Sequence, residues 1–597
     1  MSAMSTRPVE KVRAIRALMI IGVLLGSLVL AGCVSVPTSG RVEQANQGGK
    51  INDTKPEAVP KPPVQDGSPR VIVDGFLFAM SRYQANYQIA RQFLTDDARD
   101  SWRPEDKITV YTNPKYDTTD NNVTLSFTRV GQVGTDGSYT ATTGPQVQDF
   151  GLQKDGNGQW RISNPPDGLL ISDSTFSATY ASYNLYFFDS QFRTLVPDPI
   201  YLPTDGQTET ALVQALLRGP TSWLKSAVVT EFPSRTSLVG DSVPISDDLA
   251  QISLSPSVSG LNDQQKTRLA AQLAWTLGQT DSDLRGFQIT VNGDRLQIPK
   301  QVGDGENSYV PISYGSDFAP VPDDTSDALI GIHDGAVIEV GNDGSSLSPR
   351  PGALGRKGYD LDSLALSNDG RTVAAVTDDG RNLIYQVSDQ APRTAPLTDP
   401  KRLLRPDYTR DDELWAIGGK PGKQTIQMVK NNKEYDVVAP WLKRIAVTGF
   451  KISPDGSRMA LIGRSGGKDL LAVAPIIRGD KTPTVGTVRF ISMMDTASSQ
   501  VKLIADLGWV SPTRLLILGA ANSSASYEPY GVEIDGSQFE RVGTSDNWGA
   551  TSLATKVESG GSFQAVVGGR HGKAWMYRSG DEWGLLSNDL RSPAYAV

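Results

Sequence analysis

The feature that most constrains the fold is an internal repeat in the C-terminal half of the chain. Residues 365–376 align with residues 451–462, and both copies place apolar residues around a short polar turn, Ser-Asn-Asp-Gly or Ser-Pro-Asp-Gly. Weaker copies begin near residues 405 and 508, so the unit recurs about every 40–57 residues. In such turns Pro fixes φ, Asp accepts local hydrogen bonds and Gly adopts positive φ. Each copy therefore predicts two strands joined by a tight turn.

A repeat of this length is typical of a β-propeller, in which each blade is a four-stranded sheet of about 40–50 residues. Hairpin patterns at residues 329–340 and 562–567 lie outside the aligned copies. We therefore expect an all-β propeller of about five to seven blades over residues 325–597. An irregular β-sandwich is the alternative that the pattern leaves open.

The N-terminus has the pattern of an export signal. Four basic residues and one acid precede an apolar stretch over residues 17–30, and the small residues Ala31 and Gly32 follow. As a helix this stretch is about 21 Å long, short of the ~30 Å hydrocarbon core of a membrane. The order of these features predicts a signal peptide over residues 1–32. An uncleaved anchor helix is the alternative.

Cys33 follows this stretch directly. Leu30-Ala31-Gly32-Cys33 resembles the bacterial lipobox, in which cleavage between Gly32 and Cys33 leaves a cysteine with an S-diacylglyceryl group and an N-linked acyl chain. The resemblance implies a plasma-membrane lipoprotein, anchored in the lipid through these chains on the extracytoplasmic face. Because Cys33 is the only cysteine, we expect no disulfide within the exported domains.

Charge and composition separate a tether from the folded part. The net charge is −8, and loss of residues 1–32, with four basic residues and one acid, takes it to −11. Nucleic-acid binding needs clustered positive charge, so we expect no nucleic-acid partner.

Residues 33–67 contain five prolines and lack apolar periodicity. This composition predicts a tether on the order of 30 Å long, and an ordered arm is the alternative.

Residues 68–180 have the pattern of an α+β domain. Ser68 and Pro69 suit the start of a helix. Apolar residues then recur at three- and four-residue spacing as far as residue 94, with a candidate break at residues 85–86. Strand patterns follow over residues 108–162, so we expect a helix on an antiparallel sheet, similar to the cone-shaped NTF2-like folds. At this spacing Tyr83 and Tyr87 are interpreted as core residues, and a pocket lining is the alternative.

Residues 184–300 predict a second α+β domain. A strand pattern at residues 185–188 precedes a helix that ends at Gly219-Pro220. A second helix is predicted over residues 262–277, with Leu269, Leu273 and Leu277 along one face. A strand pattern over residues 287–291 closes the segment. The fold class is thus multidomain, with two α+β domains followed by the propeller.

The second domain resembles the GerMN domain of spore-germination lipoproteins. Residues 211–220, Ala-Leu-Val-Gln-Ala-Leu-Leu-Arg-Gly-Pro, match its helix, and residues 232–238, 251–255, 275–277 and 288–293 follow in its order. The resemblance covers about 110 residues. It implies an extracytoplasmic domain that binds or scaffolds, and it implies no enzymatic activity.

Candidates for catalysis are few. His333 and His571 are the only histidines, too few for a zinc site of several histidines and a weak basis for a Ser-His-Asp triad. Residues 463–467 fit the Gly-x-Ser-x-Gly pattern. A nucleophile elbow requires a helix after the serine, whereas an apolar strand pattern follows here, so we predict a hairpin turn. Gly467-Lys468 and Gly572-Lys573 lack the other residues of a phosphate-binding loop.

Paired acids occur at Asp323-Asp324, Asp378-Asp379 and Asp411-Asp412. They lie in predicted turns, where solvated carboxylates are the simplest interpretation. A glycosidase pair among the 66 acids stays open. We predict no catalytic residue, no cofactor and no metal site.

The order of lipobox, Pro-rich tether, α+β domain, GerMN-like domain and propeller resembles the actinobacterial LpqB lipoprotein family over nearly the full chain. For that family the implied role is accessory to the MtrA–MtrB two-component system, through contact with the extracytoplasmic domain of the sensor histidine kinase MtrB. Effects on cell-wall homeostasis and division would be indirect. Of the individual residues, the resemblance transfers a role to Cys33 alone.

The functional hypothesis is a non-enzymatic regulatory lipoprotein whose partner surface lies on the propeller or on the GerMN-like domain. Two alternatives stay open. One is a protein that binds or hydrolyses a cell-wall polymer with acidic residues. The other is an envelope scaffold without a signalling role.

Overall fold

The computed structural model describes residues 59–596, apart from residues 205–206, 281–282, 342–345, 399, 480–481, 494–500 and 545–547. The signal peptide, Gly32, Cys33 and most of the tether lie outside the described residues. The predictions made for them stay predictions.

The N-terminal domain is a layer of short helices on a mixed sheet. Its elements are α1 Pro69–Met80, α2 Gln88–Arg91, α3 Asp96–Ser101, β1 Ile108–Thr119, β2 Asn122–Val133, β3 Tyr139–Asp149, β4 Leu152–Lys154, β5 Trp160–Ile162, β6 Leu169–Ser172 and α4 Asp173–Thr179. The sheet order is β3-β2-β1-β6, and β4 pairs with β5. β6 runs parallel to β1, so the expected purely antiparallel sheet is wrong at this edge.

The predicted long helix is broken where the sequence placed a candidate break. α1 ends at Met80, and Asn86 and Tyr87 have positive φ values of 55° and 49°, which no α-helix accommodates. Tyr87 is buried in the core beside Trp102. Tyr83 is 52% exposed. The core interpretation was wrong for Tyr83 because the break ends the helical register that would have turned it inward.

The second domain packs two helices between two sheets. Its elements are β7 Tyr180–Asp189, β8 Leu195–Pro203, α5 Thr208–Arg218, β9 Val228–Val229, β10 Ile245–Ser246, β11 Leu249–Leu254, α6 Asp263–Leu277, β12 Gly286–Val291, β13 Asp294–Arg295 and β14 Val310–Pro311. The sheet orders are β8-β7-β9 and β10-β11-β12-β13, and β14 also pairs with β12. One continuous apolar core joins both sheets to the helices.

Local signals explain α6. Asn262 and Gln265 form a reciprocal capping box at its start. The buried Gln272 donates to the Tyr186 carbonyl (Nε2–O 2.8 Å), and Thr276 accepts from the Tyr186 N–H (3.2 Å). These two side chains fix the helix to β7 by hydrogen bonds to the strand backbone.

The C-terminal domain contains, within the described residues, six sheets that follow one another along the chain. Their strands are β15 Leu329–His333, β16 Ala336–Val340, β17 Leu347–Pro349; β18 Leu361–Leu366, β19 Thr372–Thr377, β20 Leu383–Val387, β21 Arg393–Thr394; β22 Asp407–Tyr408, β23 Leu414–Gly418, β24 Thr425–Lys430, β25 Lys433–Val437; β26 Ala446–Ile452, β27 Arg458–Ser465, β28 Lys468–Ile477, β29 Thr484–Val485, β30 Arg489–Ile491; β31 Leu503–Ser511, β32 Arg514–Ala520, β33 Glu528–Glu533, β34 Glu540–Arg541; β35 Ala550–Val557, β36 Phe563–Gly569, β37 Ala574–Ser579, β38 Glu582–Ser587; and β39 Arg591–Tyr595.

The six sheets form a closed ring. The C-terminal strand β39 pairs with β15 and becomes the innermost strand of the first sheet. The innermost strands β39, β18, β22, β26, β31 and β35 contact one another in this cyclic order. This arrangement is that of a β-propeller, in which radial packing leaves only short edges exposed.

The repeated turns have the geometry that their sequences predict. In the turn before β27, Asp455 Oδ1 accepts from Ser453 Oγ (2.9 Å) and from the Ser457 N–H (2.9 Å), and Gly456 has φ 74°. Asp369 makes the same two bonds in the turn before β19. The Asp side chain thus sets the turn that connects the two inner strands.

Candidate functional site: the open face of the propeller

The ring has two ends that differ in their surroundings. Successive strands in each sheet are antiparallel, so the turns between first and second strands lie at one end. The turns between second and third strands, and the connections to the next sheet, lie at the other end. We call these the covered face and the open face.

The covered face is held against the other two domains. Arg458 at the start of β27 donates to the Pro197 carbonyl (Nη1–O 3.0 Å). The Asp535 carbonyl accepts from the Ala141 N–H (3.1 Å). Arg489 donates to the Tyr139 carbonyl, and its guanidinium lies 5.5 Å from the Trp223 ring centroid. These contacts join the N-terminal domain, the GerMN-like domain and the propeller into one packed body.

Arg458 is the centre of this contact. Its side chain is fully buried and forms an ion pair with the equally buried Asp455 of the preceding turn. Its guanidinium carbon lies 5.7 Å from the Trp509 ring centroid. Facing it, burial raises the pKa of Asp198 to about 6, although the Thr221 N–H and hydroxyl both donate to this carboxylate (2.7 Å each). The covered face is therefore desolvated and structural.

The central channel of the ring is filled by Arg405. Its guanidinium donates to the carbonyls of Leu364 (3.1 Å), Leu553 (2.9 Å) and Pro593, and it pairs with Asp506 (3.1 Å). These partners lie on or beside the innermost strands of four different sheets. One side chain thus ties most of the ring together and blocks passage through it.

The covered end of the channel is closed by the segment that leads into the propeller. Lys556 donates to Asp327 and to the Thr325 carbonyl (3.3 Å). Beneath this segment a small cavity of about 40 Å³ remains, lined in part by Val321, Lys451 and Trp509. Such a volume has room for water molecules only.

The open face is strongly basic. In the described chain, its turns, connections and flanking strand ends carry exposed basic residues around the whole ring. They are Arg356, Lys357, Arg381, Lys401, Arg402, Lys420, Lys423, Lys443, Arg444, Arg464, Lys468, Lys502, Arg570, Lys573 and Arg591. The exposed acids of the same segments are Asp334, Asp360, Asp362, Asp378, Asp379, Asp436 and Asp589. Positive charge therefore predominates here, in a chain whose net charge is −8.

Part of this charge is locally paired. Lys357 forms an ion pair with Asp334, and a hydrogen bond from Lys357 lowers the pKa of that carboxyl. Arg464 pairs with the buried Asp469 (2.7 Å), which raises the pKa of the guanidinium. His333 Nδ1 lies 2.9 Å from the Asp589 carbonyl. The remaining basic side chains surround these pairs and give the face its positive field.

The residues with possible catalytic patterns lie at the open-face ends of different sheets. Gly466 and Gly467 form the predicted hairpin turn between β27 and β28, with φ 59° and 79°, and Ser465 is exposed. His571 is an exposed turn residue between β36 and β37. Within the described ranges, no group of three or more His, Cys, Asp or Glu side chains has the arrangement of a metal site.

The paired acids behave differently from one another. Asp379 accepts the Thr377 hydroxyl (2.6 Å) and the Arg381 N–H (2.9 Å), as expected for a solvated turn acid. Asp411 instead forms an ion pair with Arg193 of the GerMN-like domain (2.5 Å). Sequence patterns assigned Asp411 to a turn and missed this interdomain contact, because the partner lies 218 positions away.

Sequence reasoning also missed the open face. Its basic residues occur singly or in small groups, and these groups lie 18 to 68 positions apart in the sequence. A partial signal was present, because Lys or Arg occurs in or beside most of the connections at this end of the repeat. The repeat register alone would have placed these connections on one end of a ring.

Among the helices of the described residues, none is long and apolar enough to cross a membrane.

The fold and this face define a class: a multidomain, mostly β protein that ends in a propeller with one covered and one open face. Family models match three consecutive parts of the chain. They are described as "Lipoprotein LpqB, N-terminal domain" over residues 62–177, "Sporulation and spore germination" over residues 184–297, and "Lipoprotein LpqB beta-propeller domain" over residues 335–596. The resemblance of the second domain to the GerMN domain is thus confirmed.

Curated relatives extend the match to most of the chain. The lipoprotein LpqB of Cutibacterium acnes is 28% identical, over 89% of this chain and 90% of the relative. That of Streptomyces avermitilis is 27% identical, over 96% of both chains. The tandem GerMN domains of the sporulation protein GerM from Bacillus subtilis match with 18% identity and a TM-score of 0.19, over 25% of this chain and 54% of that one. The chain belongs to the LpqB lipoprotein family.

Proposed function

We propose that this chain is a lipid-anchored, non-enzymatic accessory protein of a sensor histidine kinase similar to MtrB, and that its open face docks the extracytoplasmic domain of that kinase. Acyl chains on Cys33 hold it on the extracytoplasmic face of the plasma membrane. Through the kinase it affects cell-wall homeostasis and division. Family membership supports the anchor, and the charge of the open face supports the docking surface.

The observation that supports docking through the open face is the difference between the two ends of the ring. Arg458 and its neighbours commit the covered face to the other domains. The open face presents exposed basic residues around the whole ring. Charged interfaces of this kind select an acidic partner surface and accelerate encounter more than they add affinity. The partner domain is therefore expected to present acidic residues.

Regulation of the kinase requires two properties of this protein. Lipid anchoring confines the protein to the membrane plane, which raises its effective concentration near a membrane-bound kinase. Binding then changes kinase output if the open face prefers one conformation of the kinase over the other. Neither of these properties requires a chemical reaction on the lipoprotein.

The test is photo-cross-linking in cells. A photoreactive residue replaces the exposed Thr425 at the tip of β24, close in sequence to Lys420 and Lys423. We expect mass spectrometry to identify a sensor kinase. A variant with Lys420→Glu, Lys423→Glu, Lys443→Glu and Arg444→Glu should capture it at least tenfold less.

The matched control has the same change of charge elsewhere. Arg103→Glu, Lys115→Glu, Lys154→Glu and Lys225→Glu alter four exposed basic residues of the first two domains. This control should capture the kinase as the wild type does. Equal capture by both quadruple variants would refute docking through the open face, and capture without any kinase would refute the accessory role.

A further inference from the structure

The outer half of the sixth sheet has an aromatic face. Trp575 lies opposite Leu585 in the pairing of β37 with β38, and Tyr577 lies opposite Trp583. Because side chains alternate along a strand, these four residues project from the same side of the sheet. Leu585 is 53% exposed, and the two tryptophans are partly exposed.

A third tryptophan completes this surface. The Trp548 ring stacks on Trp575 (centroids 5.1 Å apart, planes 15° apart) and meets Trp583 edge to face (5.5 Å, 60°). Trp583 Nε1 donates to the Val542 carbonyl (3.0 Å), which fixes the ring. The three indoles therefore form a rigid platform with little side-chain entropy left to lose on binding.

The platform forms the floor of an open groove of about 550 Å³ with a polar rim. Thr544, Arg578, Asp581 and Glu582 line this rim, and the three charged residues are exposed. The groove thus combines flat apolar rings with both hydrogen-bond donors and acceptors. Its size lies in the range of ligand-binding clefts.

We propose that this groove binds an oligosaccharide of pyranose rings. The C–H face of a pyranose packs on an indole ring, while its ring hydroxyls point sideways to the rim. Vicinal hydroxyls donate to the Asp581 and Glu582 carboxylates and accept from the Arg578 guanidinium. Thr544 and Trp548 belong to the connection from β34 to β35 at the open face, but the groove contains none of the basic residues named there for kinase docking.

The rim chemistry separates this ligand from a proline-rich peptide, the other common occupant of aromatic grooves. Proline-rich segments offer backbone carbonyl acceptors and few N–H donors. Asp581 and Glu582 are themselves acceptors when ionised. Against such a peptide they would lose hydration without gaining partners, whereas the hydroxyls of a glycan satisfy them.

The test is calorimetric titration of the full-length protein in detergent with chitohexaose and cellohexaose. We expect binding by at least one hexasaccharide, about tenfold weaker after Trp548→Ala. Asp581→Asn with Glu582→Gln should also weaken it several-fold. Because both acids are exposed, this pair tests the site even if Trp548→Ala impairs folding. Trp160→Ala, a partly exposed tryptophan of the first domain, is the control and should bind as the wild type does.

Two results would overturn the proposal. One is absence of binding by both hexasaccharides at millimolar concentration. The other is binding that neither the Trp548 variant nor the acid-pair variant alters. Preferential binding of a proline-rich decapeptide in the same titration would assign the groove to a peptide instead.

Discussion

The two ends of the propeller use the same turn for different purposes. On the covered face, Asp455 organises the turn from Ser453 to Arg458 and is buried against the GerMN-like domain. On the open face, Asp379 organises the turn from Thr377 to Asn382 with the same bonds and is exposed. The side chain at the sixth position differs, Arg458 in one turn and Asn382 in the other. Local sequence thus sets the turn, and the position of the turn in the ring decides whether its side chains meet another domain.

The strongest test of this comparison removes Arg458. Arg458→Gln breaks a fully buried ion pair and leaves Asp455 uncompensated, so we expect the free energy of unfolding to fall by about 3 kcal/mol. Urea unfolding of the full-length protein, followed by tryptophan fluorescence, measures it. Arg381→Gln, in the corresponding open-face turn, should change stability by less than about 0.5 kcal/mol. Similar losses for the two variants would mean that the faces do not differ energetically.

The next largest loss of stability is expected in the central channel, which runs between the two faces. Arg405→Leu deletes hydrogen bonds from a charged donor to three carbonyls and the pairing with Asp506. We expect a loss of about 2 kcal/mol in the same unfolding assay. Lys502→Leu, at an exposed open-face position, serves as the control. An unchanged midpoint for Arg405→Leu would show that the inner strands close the ring without this side chain.

A smaller effect depends on pH and is specific to the covered face. The folded state raises the pKa of Asp198 from 3.8 to about 6, so it favours the protonated carboxyl. This contribution to stability is complete below pH 3.8 and is lost as pH rises through about 6. Between pH 5 and pH 7.5 we expect the free energy of unfolding to fall by about 1 kcal/mol from this group. The decline should be shallower in Asp198→Asn, and identical slopes would contradict the assignment.

The smallest effect is expected at the rim of the covered face. Arg193 and Asp411 form an ion pair whose side chains are 49% and 21% exposed. Such pairs contribute about 0.5 kcal/mol. A double-mutant cycle with Arg193→Ala and Asp411→Ala measures the coupling. A coupling energy above about 2 kcal/mol would show that this pair behaves like the buried Arg458–Asp455 pair rather than like a surface ion pair.

What could be predicted from the sequence was local. The helix predicted over residues 262–277, the Asp455 turn and the hairpin at Gly466-Gly467 each depend on neighbouring residues, and each forms as expected. β8 was missed because Pro197 and Pro199 argue against a strand. The two prolines are tolerated because β8 lies at the edge of its sheet, where it pairs with β7 alone.

The missed features of the candidate site are non-local. Arg458 and Arg405 look like ordinary basic residues in the sequence, and their importance arises from partners 261 and up to 188 positions away. The open face arises because six separate sheets bring isolated lysines and arginines to one end. Such features follow from the closure of the ring, which no local pattern encodes.

Closure by β39 has a consequence for biogenesis. The first sheet lacks its innermost strand until residues 591–595 are available to pair with β15, more than 250 positions earlier. Because synthesis proceeds from the N-terminus, the first two domains are available before β39, and the ring cannot close until β39 is available. Contacts of such long range form slowly. Loss of residues 591–595 would therefore leave an open ring with unpaired strand edges.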